Sequence, residues 1–316
     1  MEPMTALVLA FQLIALFSIA GALVLYLLCK VRSTQVNLSE PQSGTVLVTS
    51  ADSALGLQLC THLANRGCRV FAGMKDSVDS IPAKLLRNWI KMKEVNVEPV
   101  QGSIILMQLD VTREDILREA TEAMGSHLNA GERGISAVIN TSGCIYRGRI
   151  ESQDVQQWET MLKTNILGSL RVAKAFVGLL RPTRGRLIYL GAGNDGEELV
   201  AFNASRVAVE KCAVELRKEL QPYGISVVAL DTNGINADSL FRAPIPHVIS
   251  DCEGAPTQYS AEVLTSSALT AIEHALWDIR PNERYQLAVP QNKYNITLPC
   301  RSSFRLKMDM GAVQKV

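Results

Sequence analysis

Short runs of β-branched and aliphatic residues alternate with segments of helical spacing along most of this chain. The apolar runs are Thr45–Thr49, Arg69–Gly73, Ser103–Asp110, Gly134–Asn140, Gly185–Gly191 and Ile225–Asp231, with a last short one at Tyr285–Val289. The helical segments are Leu55–Arg66, Pro82–Lys93, Arg113–Ala130, Gln153–Leu180, Ala201–Leu220 and Ala261–Asp278. Strands that are apolar throughout must be buried on both faces, which is the condition of a parallel sheet between two layers of helices. Strict alternation of strand and helix therefore predicts an α/β fold built on a doubly wound parallel sheet. Gly67 suits the end of the first of these helices, and Pro82 the opening turn of the next. The stretch Asn233–Gln258, rich in Pro, Gly and Asp, falls between the sixth strand and the following helix, at the carboxyl edge where such sheets bind ligands.

The other strong pattern is N-terminal. Met4–Cys29 is apolar almost throughout, with Gln12 its only strongly polar residue. As a helix it is long enough to cross a hydrocarbon core of roughly 30 Å. A cleaved signal peptide would start with basic residues and have a shorter apolar stretch; this chain starts with Glu2 and no Lys or Arg. Residues 1–32 are therefore expected to form a single transmembrane anchor. Lys30 and Arg32 follow it directly, so the positive-inside rule puts the folded part in the cytosol, with the endoplasmic reticulum as the expected membrane. Residues 33–44 read as a polar linker, 45–290 as the folded domain and 291–316 as a short, mildly basic tail.

Composition excludes several functions. Of 316 residues, 47% are hydrophobic and 20% charged, so the chain can build a core and is not disordered overall. A net charge of +1 offers no concentrated basic face for nucleic acid. The seven cysteines are scattered without C-x-x-C or Cys/His spacing, which points to reduced thiols and to no metal site.

The first strand runs into Thr49-Ser50-Ala51-Asp52-Ser53-Ala54-Leu55-Gly56 and then a helix, the setting of a phosphate-binding turn. This stretch resembles the T-G-x-x-x-G-x-G turn of the short-chain dehydrogenase/reductase family. Its Asp52-Ser53 pair is similar to the subgroup of retinol, 17β-hydroxysteroid and 3-hydroxybutyrate dehydrogenases. Gly56 keeps the third glycine; Ser50 and Ala54 stand at the first two, where glycine lets the backbone approach a pyrophosphate. Leu109-Asp110-Val111-Thr112 resembles the family's L-D-V turn, and Asn140-Thr141-Ser142-Gly143 its N-N-A-G. Trp158–Gly168 resembles the helix that carries the family's active-site Asn, here Asn165. The resemblance spans Gly44–Val289. It implies a Rossmann-like fold and NAD or NADP as cofactor, with Thr49, Ser53, Gly56, Lys75, Asp110, Asn140, Gly143 and Arg206 on the cofactor side. Lys75 favours the NADP phosphate and Asp76 the NAD ribose, so cofactor preference stays open.

The family's chemistry needs a tyrosine as acid or base, a lysine four residues on that lowers its pKa and holds the nicotinamide ribose, and a serine on the preceding strand end. The Y-x-x-S-K segment reads here Phe202-Asn203-Ala204-Ser205-Arg206, in a register fixed by the match that follows it. Phe202 has no proton to exchange. Arg206 keeps a charge in a larger, forked form. Ala192 takes the serine position, and Thr232-Asn233 replaces a proline–glycine pair. Asn165 is retained. Tyr146, Ser142 and His247 are the alternative proton donors near the ligand edge, whereas Tyr189 has the phase of a core residue. The resemblance thus implies a membrane-tethered relative with impaired or absent catalysis, holding a nucleotide or a hydrophobic molecule such as a steroid, retinoid or lipid. The loop residues Leu240, Phe241 and Ile245 suit such a ligand. The alternative is an NAD(P)-dependent oxidoreductase with another proton donor. A homodimer, or a heterodimer with a related dehydrogenase, is expected through the helices within Ile150–Leu180 and Ala201–Leu220.

Overall fold

A computed structural model of the chain describes residues 3–34, 44–75, 80–95, 102–191, 193, 197–247 and 258–287. A helix, α1 (Pro3–Thr34), comes first. The α/β part then runs β1 (Thr45–Val48), α2 (Ala54–Asn65), β2 (Arg69–Met74), α3 (Ile81–Val95), β3 (Ser103–Gln108), α4 (Glu114–Ser126) and β4 (Ala137–Asn140). It continues with α5 (Val155–Met161), a π-helical segment (Leu162–Leu167), α6 (Gly168–Leu180), β5 (Arg186–Leu190), α7 (Val200–Leu220) and β6 (Ser226–Asp231). It ends with α8 (Ala237–Phe241), β7 (Ile245–His247), β8 (Gln258–Ser260), α9 (Ser266–Trp277) and β9 (Arg284–Gln286).

Seven strands form one sheet in the order β3-β2-β1-β4-β5-β6-β9, and every neighbouring pair is parallel. This is the doubly wound, Rossmann-like sheet that the alternation predicts. Side chains alternate across each strand. On β1, Val46 and Val48 enter a core with Leu55, Leu59 and Leu63 of α2 and Ile272 and Leu276 of α9. Leu47, between them, enters the opposite core with Met124 of α4, Phe176 of α6 and Val209 of α7. A fully buried aliphatic side chain of this kind contributes about 1.5–3 kcal/mol, which is why both faces must be apolar. The chain leaves β3 at one edge and re-enters beside β1 as β4. That reversal opens a crevice beyond the carboxyl ends of β1 and β4.

Local chemistry sets the element ends. Ser53 caps α2 by accepting from the Gly56 N–H at 3.0 Å, and Thr265 caps α9 by accepting from Ala268 at 3.4 Å; such caps are worth about 1 kcal/mol. Gly67 adopts φ +95° after α2, the left-handed turn expected there. Two expectations need correction. The segment Gln153–Leu180 is not one continuous helix after its start, because the π-helical turn at Leu162–Leu167 interrupts it. The stretch after β6 is not a plain loop: it forms α8 and then β7, which pairs antiparallel with β8.

Helix α1 has 32 residues. At 1.5 Å per residue it extends about 48 Å. Its described side chains, residues 12–27, are exposed, including Leu16, Phe17, Ile19 and Leu25. Counted on those described side chains alone, no helix is long and apolar enough to cross a membrane.

Candidate functional site

The carboxyl ends of β1 and β4 are joined by a set of short polar side chains. The Thr49 hydroxyl donates to Asn140 Oδ1 at 2.9 Å and lies 2.7 Å from the Ser142 hydroxyl. Ser50 donates to Ser142 Oγ at 3.1 Å. Thr49 has one proton and gives it to Asn140, so Ser142 is the donor toward Thr49. Asn140 Nδ2 in turn donates to Ser169 Oγ at 2.8 Å. This web ties the first turn to α6 and holds the Ser142 proton inward.

The turn itself needs its one glycine. A Cβ on Gly56 would stand 1.9 Å from the Ser50 carbonyl oxygen and 2.7 Å from the Ala51 Cα. No side chain fits there, because both neighbours are backbone. Next to it, the first-turn N–H of Ala54 donates to the Arg242 carbonyl at 2.9 Å. A donor that could meet an anion is thus committed to the chain's own segment after β6.

A cleft of about 470 Å³ opens from this turn toward β2 and β3, lined by Ser50, Ser53, Lys75, Asp110, Tyr146 and Phe241 among others. Lys75 is exposed at the end of β2; Asp76 lies outside the described residues. Asp110 Oδ1 accepts from the Thr112 N–H at 2.8 Å and from its hydroxyl at 2.7 Å, which fixes the carboxylate at the cleft wall. Of the expected cofactor-side residues, Ser53, Lys75, Asp110 and Gly143 border this cleft. Thr49, Gly56 and Asn140 lie behind it as buried support, and Arg206 is elsewhere.

Arg206 is buried at 2% exposure. Its Nη2 donates to the Leu190 carbonyl and, at 3.4 Å, to that of Gly191, so it closes the carboxyl end of β5. Its Cζ lies 5.5 Å from the centre of the Phe241 ring. Phe202 is buried too, with its ring 5.9 Å from that of Phe241 in an edge-on arrangement. The Phe241 ring also covers Gly143, where an added Cβ would stand 2.3 Å from its Cε1. Gly143, Phe202 and Arg206 thus all lie against one phenylalanine. Ala192 lies outside the described residues.

Asn165 is wholly buried in the π-helical turn. Its Oδ1 accepts from the Cys144 N–H at 2.8 Å, and its Nδ2 donates to the Cys144 carbonyl at 3.1 Å and to Ser205 Oγ at 2.9 Å. The side chain clamps the segment after β4 to α7. Cys144 lines the cleft; burial raises its thiol pKa, an effect partly offset by a hydrogen bond with Thr164 and the charge of Lys75. Tyr189 is buried, donates to the Ser169 carbonyl at 3.3 Å and has its pKa raised by burial. Tyr146 is 39% exposed on the cleft. His247 falls on β7, and its side chain lies outside the described residues.

Of the loop residues expected to suit a hydrophobic ligand, Phe241 lines the cleft while packing on Phe202 and Ile245 is exposed; the expectation fails for Leu240, which is buried in the core at 1% exposure. The roles of Phe241, the Arg242 carbonyl and Ser205 are not visible in the sequence. Sequence spacing relates neither residue 241 to residues 143, 202 and 206, nor a main-chain carbonyl to a distant helix. An aromatic residue after β6 facing an aromatic at position 202 is the one hint it offers.

The parallel sheet, its strand order and the glycine-dependent turn define a doubly wound, Rossmann-like α/β protein. A sequence model of the short chain dehydrogenase family matches residues 44–243, and the chain belongs to that family. It is 26% identical over 288 residues to the mitochondrial D-beta-hydroxybutyrate dehydrogenase of Rattus norvegicus, covering 80% of each chain. It is 28% identical over 193 residues to the 17-beta-hydroxysteroid dehydrogenase type 2 of Homo sapiens, covering 60% of this chain and 46% of that one. Among solved structures, a short chain dehydrogenase from Burkholderia cenocepacia in complex with NADP superposes with a TM-score of 0.55 at 19% identity, over 79% of this chain and 90% of that one.

Proposed function

We propose that this chain is a membrane-anchored short-chain dehydrogenase relative that binds a nucleotide at the carboxyl edge of its sheet and has lost most or all of the family's catalysis. The observation that carries the reading is Phe202, a buried ring packed on Phe241 at the position that the resemblance gives to the proton-exchanging tyrosine. A phenyl ring cannot act as a general acid or base. Arg206, at the lysine position, donates to strand carbonyls and so serves the fold. Helix α1, of 32 residues, and the basic Lys30 and Arg32 after its apolar stretch support a single-pass anchor with residues 45–290 as a cytosolic domain, in the endoplasmic reticulum by our reading.

The test is a titration of the full-length chain in detergent with NAD(H) and NADP(H), followed by turnover assays on steroid, retinoid and 3-hydroxy acid substrates. Binding without turnover is expected. Turnover at rates ordinary for dehydrogenases, of about 1 s⁻¹ or more, refutes the loss of catalysis.

A second reading has a specific observation behind it: the Tyr146 side chain borders the same cleft as Asp110 and Lys75. In that reading the chain is an NAD(P)-dependent oxidoreductase with Tyr146 as its proton donor. The names of the hydroxysteroid dehydrogenase relatives make a steroid its first candidate substrate. Tyr146→Phe would then abolish any turnover the native chain shows; an unaffected rate removes this reading.

A further inference from the structure

On the reading of α1 as a membrane anchor, we infer that the amino edge of the sheet is a docking surface for an anionic bilayer, so that the cleft at the carboxyl edge faces away from the membrane.

Chain connectivity selects the edge. Residues 35–43 separate Thr34 from Gly44, and a stretch of that length spans at most about 35 Å. Gly44 is fixed at the amino end of β1. Its carbonyl accepts from the Arg69 N–H at 2.9 Å, and a Cβ there would stand 2.5 Å from the Trp277 ring. The anchor therefore joins the domain beside the end of α9, where Asp278 and Ile279 follow directly. Ile279 is 98% exposed, a branched alkyl side chain held in water with nothing of the fold over it.

The same edge is basic. Arg133 and Pro182 share with Gly44 the rim of a depression of about 510 Å³. Beside Pro182, Arg181 stacks on Tyr223, with its Cζ 3.8 Å from the ring centre. The Arg184 stem lies along Gly224, where an added Cβ would stand 3.1 Å from its Cδ. Arg280 follows Ile279 and is exposed. Among the described residues, Arg133, Arg181, Arg184 and Arg280 enter no ion pair. Most carboxylates nearby are already taken: Glu132 by Arg69 at 3.2 Å, Asp278 by His274 at 3.0 Å and Glu283 by Arg217 at 2.9 Å. Glu219, exposed in the last turn of α7, offsets one of the four charges.

This combination matches a phospholipid surface. Guanidinium groups bond phosphate and carboxylate oxygens, an exposed tyrosine suits the headgroup level, and an alkyl side chain between them suits the acyl boundary. Anionic lipid attracts such a patch only within about a Debye length, and the short link to α1 holds this edge close to the bilayer at all times. Lys30 and Arg32 add charge at the same surface. The cleft, at the other end of the strands, then opens to water, and its ligand arrives from solution.

Photo-cross-linking on the full-length chain in vesicles tests this, with a benzophenone amino acid placed at position 279 or, in a second variant, at position 81. Ile81 is exposed as well but borders the cleft. In phosphatidylcholine vesicles with about 30% phosphatidylserine, the lipid adduct at position 279 is expected to exceed that at position 81 about threefold or more. It should fall by a similar factor in phosphatidylcholine alone, and again when Arg133→Gln, Arg184→Gln and Arg280→Gln are combined. Equal or weaker lipid labelling at position 279, or labelling indifferent to both phosphatidylserine and the three arginines, overturns the inference while the anchor stands. A protein adduct in place of lipid at position 279 overturns it too and makes this edge a contact between copies. Alkaline carbonate extraction of the same vesicles tests the anchor separately: a chain released by it sinks the anchor reading, and this inference with it.

Discussion

The Arg206 guanidinium stands between two things: the carbonyl ends of β5, to which it donates, and the ring of Phe241, 5.5 Å from its Cζ. It is buried at 2% exposure. A buried guanidinium is stable only with its donors matched, so here it acts as a fastener. Arg206→Met keeps the stem and removes the donors. The Leu190 and Gly191 carbonyls then lose this partner, at a cost of about 1–3 kcal/mol. Urea unfolding of the variant should show a lower midpoint with unchanged slope; an unchanged midpoint would mean that the guanidinium contributes nothing to the fold.

Restoring the family's residues should not restore chemistry. The variant Phe202→Tyr, Arg206→Lys, Ala192→Ser supplies the hydroxyl, the lysine and the serine that the resemblance calls for. Phe241 still covers Gly143, at a distance where even a Cβ would meet its Cε1 at 2.3 Å. Reduction of a hydroxysteroid-type ketone with NADH is therefore expected to stay at background in the triple variant. With Phe241→Ala added, turnover should rise at least tenfold over that background, about 1.4 kcal/mol of barrier. Full activity in the triple variant alone would show that Phe241 yields to substrate unaided.

Gly56→Ala addresses the turn. The added carbon would lie 1.9 Å from the Ser50 carbonyl oxygen, and neither backbone can give way without moving the strand end or the start of α2. The variant is expected to lose at least about 1–3 kcal/mol and to lose nucleotide binding as well, since the Ser53 cap on Gly56 shifts with it. Thermal melting with and without ADP separates the two effects. A variant that melts like the native chain and keeps its ligand shift would show that the turn has slack.

Much of this was legible in the sequence because it depends on local pattern. The apolar run Thr45–Thr49 and the helical stretch from Leu55 could take only one arrangement that buries both Val46 and Leu47. The same holds for Gly56, whose need for no side chain follows from a tight strand-to-helix turn. Asn165 was legible as a site residue, but its bonding was not. Ser205 Oγ and the Cys144 backbone occupy its polar atoms. Leu240 reads as part of a ligand-facing loop, yet it packs inward, whereas Phe241 both lines the cleft and packs on Phe202. The reason is physical: the segment after β6 forms the short helix α8 with its own Asn236 cap, and that turn carries Leu240 to the interior. Sequence periodicity over five residues cannot give that direction.

Alkaline pH should unfold the chain by a route that its buried acids define. Burial, with a smaller push from the Glu273 carboxylate and an opposing pull from Arg66, raises the Cys68 thiol from about 9 to about 12. Burial alone raises Cys60 further, and it raises the Tyr189 phenol as well. In the unfolded chain these groups lose their protons near their ordinary values, while the folded chain still holds them. Above pH ~9 the unfolded state therefore binds fewer protons, and stability falls as pH rises. The contribution is whole below that pH and is lost progressively toward pH ~12, at up to about 1.4 kcal/mol per pH unit for each group. Denaturant midpoints should be flat between pH 7 and 8.5 and drop steeply from 9 to 11. Replacing Cys60 and Cys68 with alanine should make that drop shallower, though the variant begins from a lower stability because two buried side chains are trimmed. A midpoint that holds level to pH 11 in the native chain would mean that these thiols ionise as easily folded as unfolded, and that the core around α2 and β2 admits water.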